Sequence, residues 1–93
     1  MKVIDSVLLC PSCGEINLHH EKIEIFDRDE DSLKGLHTTI ENKFPKIDSD
    51  IRRNPSSRRH GMLIHFWCEN CDSKPILSIS QHKGSTIIKF KKI

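Results

Sequence analysis

The sequence predicts an all-β fold, and three observations carry that expectation. The four cysteines fall into two pairs with the same two-residue gap, apolar and polar residues alternate in several short segments, and His82-Lys83-Gly84 reads as a hairpin turn. The chain has 93 residues, a mass of 10.8 kDa and 35% hydrophobic residues, enough for one small core and not two. Residues 1–93 are therefore read as one domain. No apolar run is long enough for a transmembrane helix, and Asp5 interrupts the N-terminal segment before it reaches the length of a secretory signal, so a cytoplasmic location is expected.

The elements follow in chain order. Val3 to Leu9 is expected to be extended and to lead into the first cysteine pair, Cys10-Pro-Ser-Cys13. Pro11 pre-sets one φ of that turn, and Gly14 accepts a positive φ at its end. Ile16 to Asp27 leaves the turn as a strand in which Ile23 and Ile25 alternate against charged neighbours. Asp27 to Asp31 forms an acidic turn.

Between Ser32 and Phe44 two patterns compete. Leu33, Leu36, Ile40 and Phe44 recur at near-helical spacing behind Ser32 as an N-cap, whereas Gly35 and the β-branched pair Thr38-Thr39 favour a strand over Leu36 to Glu41. The strand is preferred, ending at Pro45. Lys46 to Gly61 reads as an exposed loop with a short pairing near Ile47 to Ile51, because Asn54-Pro55-Ser56-Ser57 is rich in turn formers. Met62 to Cys68 is a strand running into the second pair, Cys68-Glu-Asn-Cys71, with Met62, Ile64 and Phe66 on one face and Leu63, His65 and Trp67 on the other. Ile76 to Gln81 and Ser85 to Lys91 then form the C-terminal hairpin.

The cysteine spacing carries the chemistry. A C-x2-C turn points two sulfurs at one ion, and two such turns complete the tetrahedral thiolate set that Zn2+ favours, so Cys10, Cys13, Cys68 and Cys71 are the expected zinc ligands. Disulfides fit poorly with a chain lacking an export signal, and a dithiol redox site with a chain lacking a βαβ pattern. Iron in a rubredoxin-like site uses the same spacing, but here the second turn reads CENCD, without the usual Pro and Gly. The knuckles are separated by the 54 residues from Gly14 to Trp67, so a segment of approximately residues 28–61 is inserted between them.

Two C-x2-C knuckles flanked by short strands resemble the zinc-ribbon family over about residues 3–27 and 62–91. The segments CPSCG, LHH, IEIFDRDED, GLHT, NPSSRRHG, FWCENC and ISQHKGST also resemble short bacterial and phage-encoded proteins of unassigned function. That resemblance implies a strand at Gly35 to Ile40 and supports the zinc site. The fold class expected is thus a small zinc ribbon with a C-terminal β-hairpin and an inserted strand-and-loop segment.

For function, charge is the main guide. Residues 1–47 carry 6 Lys/Arg against 9 Asp/Glu, and residues 48–93 carry 9 against 4, so a formal +2 conceals a basic second half. Four thiolates on Zn2+ would bring the folded chain to about zero, leaving that asymmetry as the only polyanion signal. Arg52, Arg53, Arg58 and Arg59 flank an Asn-Pro turn and are candidate phosphate contacts, with Trp67 or His82 as stacking or base-edge contacts. Against this, the arginines can pair with the Asp27–Asp31 cluster, and a lone Trp is more often core. His19 and His20 are sent to opposite strand faces, and His37, His60, His65 and His82 lack a metal-binding or catalytic signature. No enzyme is expected, nor a membrane or small-molecule partner. The expected role is a binding module for nucleic acid or, alternatively, a protein-binding adaptor or inhibitor of phage type.

Overall fold

A computed structural model describes residues 1–91. Among them are eight strands and no helix: β1 Val3–Ile4, β2 Val7–Leu8, β3 Leu18–Asp27, β4 Leu36–Glu41, β5 Phe44–Asp48, β6 Gly61–Cys68, β7 Ile76–His82 and β8 Ser85–Lys91. β1 and β2 make a separate small hairpin. The other six form one antiparallel sheet in the order β5-β4-β3-β6-β7-β8. This is the ribbon architecture expected, with two knuckles and a C-terminal hairpin.

Three of the connections are two-residue turns with both residues at positive φ: Asp5-Ser6 (48° and 68°), Asn42-Lys43 (53° and 68°) and Lys83-Gly84 (49° and 82°). This is the left-handed geometry whose twist matches that of the flanking strands. Only the third was legible as such. Val3 to Leu9 is accordingly a hairpin and not one extended segment. Pro45 does not end the preceding strand either; Asn42-Lys43 turns the chain, and Pro45 lies inside β5, opposite Ile40. β5 is an edge strand, where a missing N–H leaves no broken ladder bond.

The loop from 49 to 60 departs most from expectation. It is a hydrogen-bonded strap and not a fully exposed loop. Ser56, only 4% exposed, donates from Oγ to the Gln81 carbonyl at 2.7 Å and accepts from the Arg59 N–H at 2.9 Å. Asn54 accepts from the Ser56 N–H and donates to the Arg59 carbonyl, closing the turn on itself. Arg28 reaches over to donate to the Ser56 carbonyl. At Gly61 a Cβ would collide with Asn54 Oδ1 and the Pro55 ring, so only glycine lets the strap lie this close to the sheet.

The strap decides which sheet face is covered. Phe26, Glu24, Leu63, Ser78 and Ser80, which register places on one face, are all buried. Ile25, on the opposite face, is 38% exposed. The alternation in β3 is therefore inverted relative to a simple hydrophobic-inside reading: the face bearing charged residues is the covered one.

Candidate metal centre

The knuckles converge because β3 leaves the first and β6 enters the second, and the two strands pair antiparallel with Leu18 opposite Cys68. Sequence distance is thereby cancelled by one register. Further backbone contacts lock the ends together: Glu69 N–H donates to the Asn17 carbonyl, and Asn17 Nδ2 to Asn70 Oδ1.

The four sulfurs lie within 4.8 Å of one another, with Cys10–Cys71 at 3.7 Å and Cys13–Cys68 at 3.6 Å. Disulfide sulfurs would sit about 2.05 Å apart. Four sulfurs about 2.3 Å from one central ion in tetrahedral array are about 3.8 Å apart, close to what is seen here. The donor set fits a tetrahedral metal ion. Cys10 and Cys68 are buried, Cys13 and Cys71 exposed, so the centre sits at the surface with one sulfur of each knuckle turned inward.

Each knuckle supplies polar support. Gly14 N–H donates to the Cys10 carbonyl and Cys68 N–H to the Ser73 carbonyl, closing the two turns, while Asn70 N–H points at Cys68 Sγ at 3.4 Å. Ser73 Oγ lies 3.2 Å from Cys71 Sγ and 3.5 Å from Cys10 Sγ, where its hydroxyl can serve a thiolate of either knuckle. Gly14 (φ 78°) and Asp72 (φ 58°) occupy equivalent places, each following the second cysteine of its pair. The missing glycine in the second knuckle is thus replaced by an aspartate in the same left-handed conformation.

Four thiolates this close together repel one another. Burial raises the Cys10 pKa, but the Ser73 hydroxyl and the Cys13 and Ser12 amides outweigh it and bring the group down to about 6. For Cys13 the Glu15 amide favours the thiolate, yet desolvation and the three neighbouring sulfurs push the group up to about 12. A central cation removes that conflict by neutralising the charge the sulfurs share.

A second polar cluster went unread in the sequence. Glu24, 1% exposed, accepts from His65 Nε2 at 2.6 Å and His37 Nε2 at 3.0 Å, and pairs with Arg53 Nη2 at 3.0 Å. His37 also meets Asp48 through Nδ1 at 2.9 Å and stacks on Phe26 at 4.5 Å. Burial raises the Glu24 pKa, but hydrogen bonds from His65 and His37 and the Arg53 charge more than offset it, holding the carboxyl below its ordinary value. The only early sign was a glutamate in the even-numbered series Lys22-Glu24-Phe26, which gave no hint of its partners 13, 29 and 41 residues away.

The arginines are largely engaged within the chain. Arg52 forks onto Asp50 and Arg58 onto Asp31, each through Nε at 2.9 Å and Nη2 at 2.8 Å, and Arg53 holds Glu24. Arg59 has no carboxylate partner among the described residues. His82 is on β7 next to Gln81, which the strap grips, so the arginine strap and the C-terminal turn share one end and one face. Trp67 lies at the other end of β6 from Gly61, roughly 20 Å away along the strand. It is not core: it is 38% exposed and stacks on His19 at 4.5 Å, the bulge between His20 and Lys22 having brought His19 opposite Trp67 beside the knuckle. His19 also contacts Glu69, and His20 pairs with Phe66, so the two adjacent histidines diverge as expected.

No family model, curated protein or solved structure matches the chain. No helix long and apolar enough to cross a membrane is present among the described residues.

Proposed function

We propose that the chain is a non-enzymatic binding module in which Cys10, Cys13, Cys68 and Cys71 hold one structural Zn2+ and the sheet offers its open face to a protein. Zinc is favoured among thiolate-binding metals because a closed four-cysteine site with no open position is its usual structural setting. The single observation that carries the protein-binding reading is the uncovered apolar face around Ile25, Ile40 and Ile88, all more than a third exposed. A sheet stabilises its apolar face by packing against another layer. The experiment is a pull-down from nuclease-treated extract with wild type and Ile25→Arg: capture that survives nuclease and is lost in the variant supports the reading, and capture abolished by nuclease overturns it.

Nucleic-acid binding through Arg52, Arg53, Arg58 and Arg59 is the second reading, favoured by the exposed Arg52 and by Arg59, which has no carboxylate partner among the described residues. It requires phosphates to displace carboxylates that already satisfy Arg52 and Arg58 in forked geometry. Its test is salt dependence: neutralising the four arginines should flatten the fall in affinity between about 50 and 200 mM salt.

A further inference from the structure

The register of the sheet sorts the open face into rows. Ile47, Thr38, Ile25, Met62, Ile79 and Ile88 are successive cross-strand partners from β5 to β8. The neighbouring row runs Pro45, Ile40, Ile23, Ile64, Leu77, Phe90 through the same strands. Twelve positions across six strands contain ten apolar side chains besides one threonine and one proline, and no charge. The matching row on the strapped face reads Lys46, Thr39, Glu24, Leu63, Ser78, Lys89. Charge has been segregated almost wholly to one side.

The size of the open face matters. Five gaps of about 4.8 Å between strands and two rows each about 7 Å deep along them give roughly 340 Å² in projection. That lies within the range of apolar patches monomers carry, about 300–600 Å². A stable interface takes roughly 800 Å² per partner, so this patch can supply the apolar core of one and its polar margins the rim. The strands make close contact only with their hydrogen-bonded neighbours, and of these twelve side chains only Leu77 is buried.

We propose that the occupant of this face is a second copy of the chain, packed sheet on sheet as a two-fold β-sandwich. The inference rests on the protein-binding reading above and names its partner. An interface between like copies brings each residue type against the same surface, so a face free of charge can meet itself without like-charge repulsion. A lipid surface would be met by Lys or Arg around the patch. Here the ionisable groups that register assigns to this face are Asp27 at one margin and His20 with the metal-ligating Cys68 at the other. Two flat aliphatic faces also suit the aligned packing of sandwiches, with sheets about 10 Å apart.

Ile87 and Ile88 provide the test, since they are adjacent on the edge strand β8, similarly exposed at 41% and 45%, and on opposite faces. The mass of the zinc-loaded protein is measured by sedimentation equilibrium or light scattering from micromolar to about 100 μM. The expected result is twice the 10.8 kDa chain mass for wild type and Ile87→Arg, and a monomer for Ile88→Arg with its zinc retained. Ile25→Arg, at the centre of the row, should also be monomeric; Ile47→Lys on β5 serves if that central change disturbs folding. Loss of the dimer in both β8 variants would indicate edge-strand pairing and overturn the sandwich. A monomeric wild type that captures protein from nuclease-treated extract through Ile25 would reject the second copy and leave the protein-binding reading standing. A monomeric wild type without such capture would reject both.

Discussion

Glu24 and His65 meet at 2.6 Å between β3 and β6, and the carboxylate is almost wholly shielded from water. A buried charge in this position is tolerable only because His65, His37 and Arg53 converge on its two oxygens. This cluster forms the polar skeleton of the covered face, and the metal centre lies at the far end of the same strands.

Removing Glu24 should therefore be costly. Glu24→Ala leaves two imidazoles and a guanidinium without their shared acceptor, and a loss of about 3–5 kcal/mol is expected from chemical denaturation. The acid dependence follows from the sign of the shift. A carboxyl whose folded pKa lies below its unfolded value contributes stability that is complete above that unfolded value and fades as pH falls through the folded one. The stability gap between wild type and Glu24→Gln should hold above pH 4.5 and narrow below it. A gap that stays constant to pH 3 would contradict the assignment.

The metal centre predicts one Zn2+ per chain by elemental analysis. Structural zinc contributes on the order of 10–16 kcal/mol of apparent binding free energy at neutral pH, against a typical net stability of about 5–15 kcal/mol. Cys68→Ser and Cys13→Ser, one buried and one exposed ligand, should both abolish stoichiometric zinc and the cooperative thermal transition. A Cys68→Ser protein melting near the wild-type temperature would show that the site is not structural.

The two knuckles offer a matched pair of backbone tests. Asp72→Gly should raise stability by about 1 kcal/mol, because a side chain in the left-handed region is replaced by the residue that occupies it freely. Gly14→Ala should lower it by about 1–2 kcal/mol. Nothing lies within 4 Å of a Cβ built at Gly14, so a loss there reports conformational strain and not a clash. Thermal melts of the zinc-loaded variants decide both.

The strap is tested at Ser56 and Gly61. Ser56→Ala removes a buried donor to Gln81 and an acceptor for two amides, and should cost about 1–3 kcal/mol. Gly61→Ala forces Asn54 and Pro55 off the sheet and should cost at least about 1–3 kcal/mol. Hydrogen exchange should then quicken at the Gln81 amide, which donates to the His60 carbonyl. Unchanged exchange there would mean the strap stays closed without these contacts.

Much of the local structure was legible. Each cysteine pair is a turn written within four residues, the Lys83-Gly84 turn carries its glycine, and Thr38-Thr39 outweighed a weak helical spacing because β-branched residues pack readily on a pleated surface. The Asp5-Ser6 and Asn42-Lys43 turns were harder, since Asp and Asn only tolerate the left-handed region and Ser and Lys give no sign of it.

By itself, the sequence determined that the chain is all-β and that four thiols are available in two preformed turns, because both depend on spacing over a few residues. The tertiary structure decided which face of the sheet is inside. Ile23 and Ile25 carry the stronger hydrophobic signal, but the 49–60 strap closes over Glu24 and Phe26, held by Ser56 on Gln81 and Arg53 on Glu24. Those contacts span 25 and 29 residues, and no local pattern encodes them. The same long-range choice turned Arg58 from a candidate phosphate ligand into the forked partner of Asp31, whereas Arg52 forks locally onto Asp50, and it left a row of aliphatic side chains facing outward.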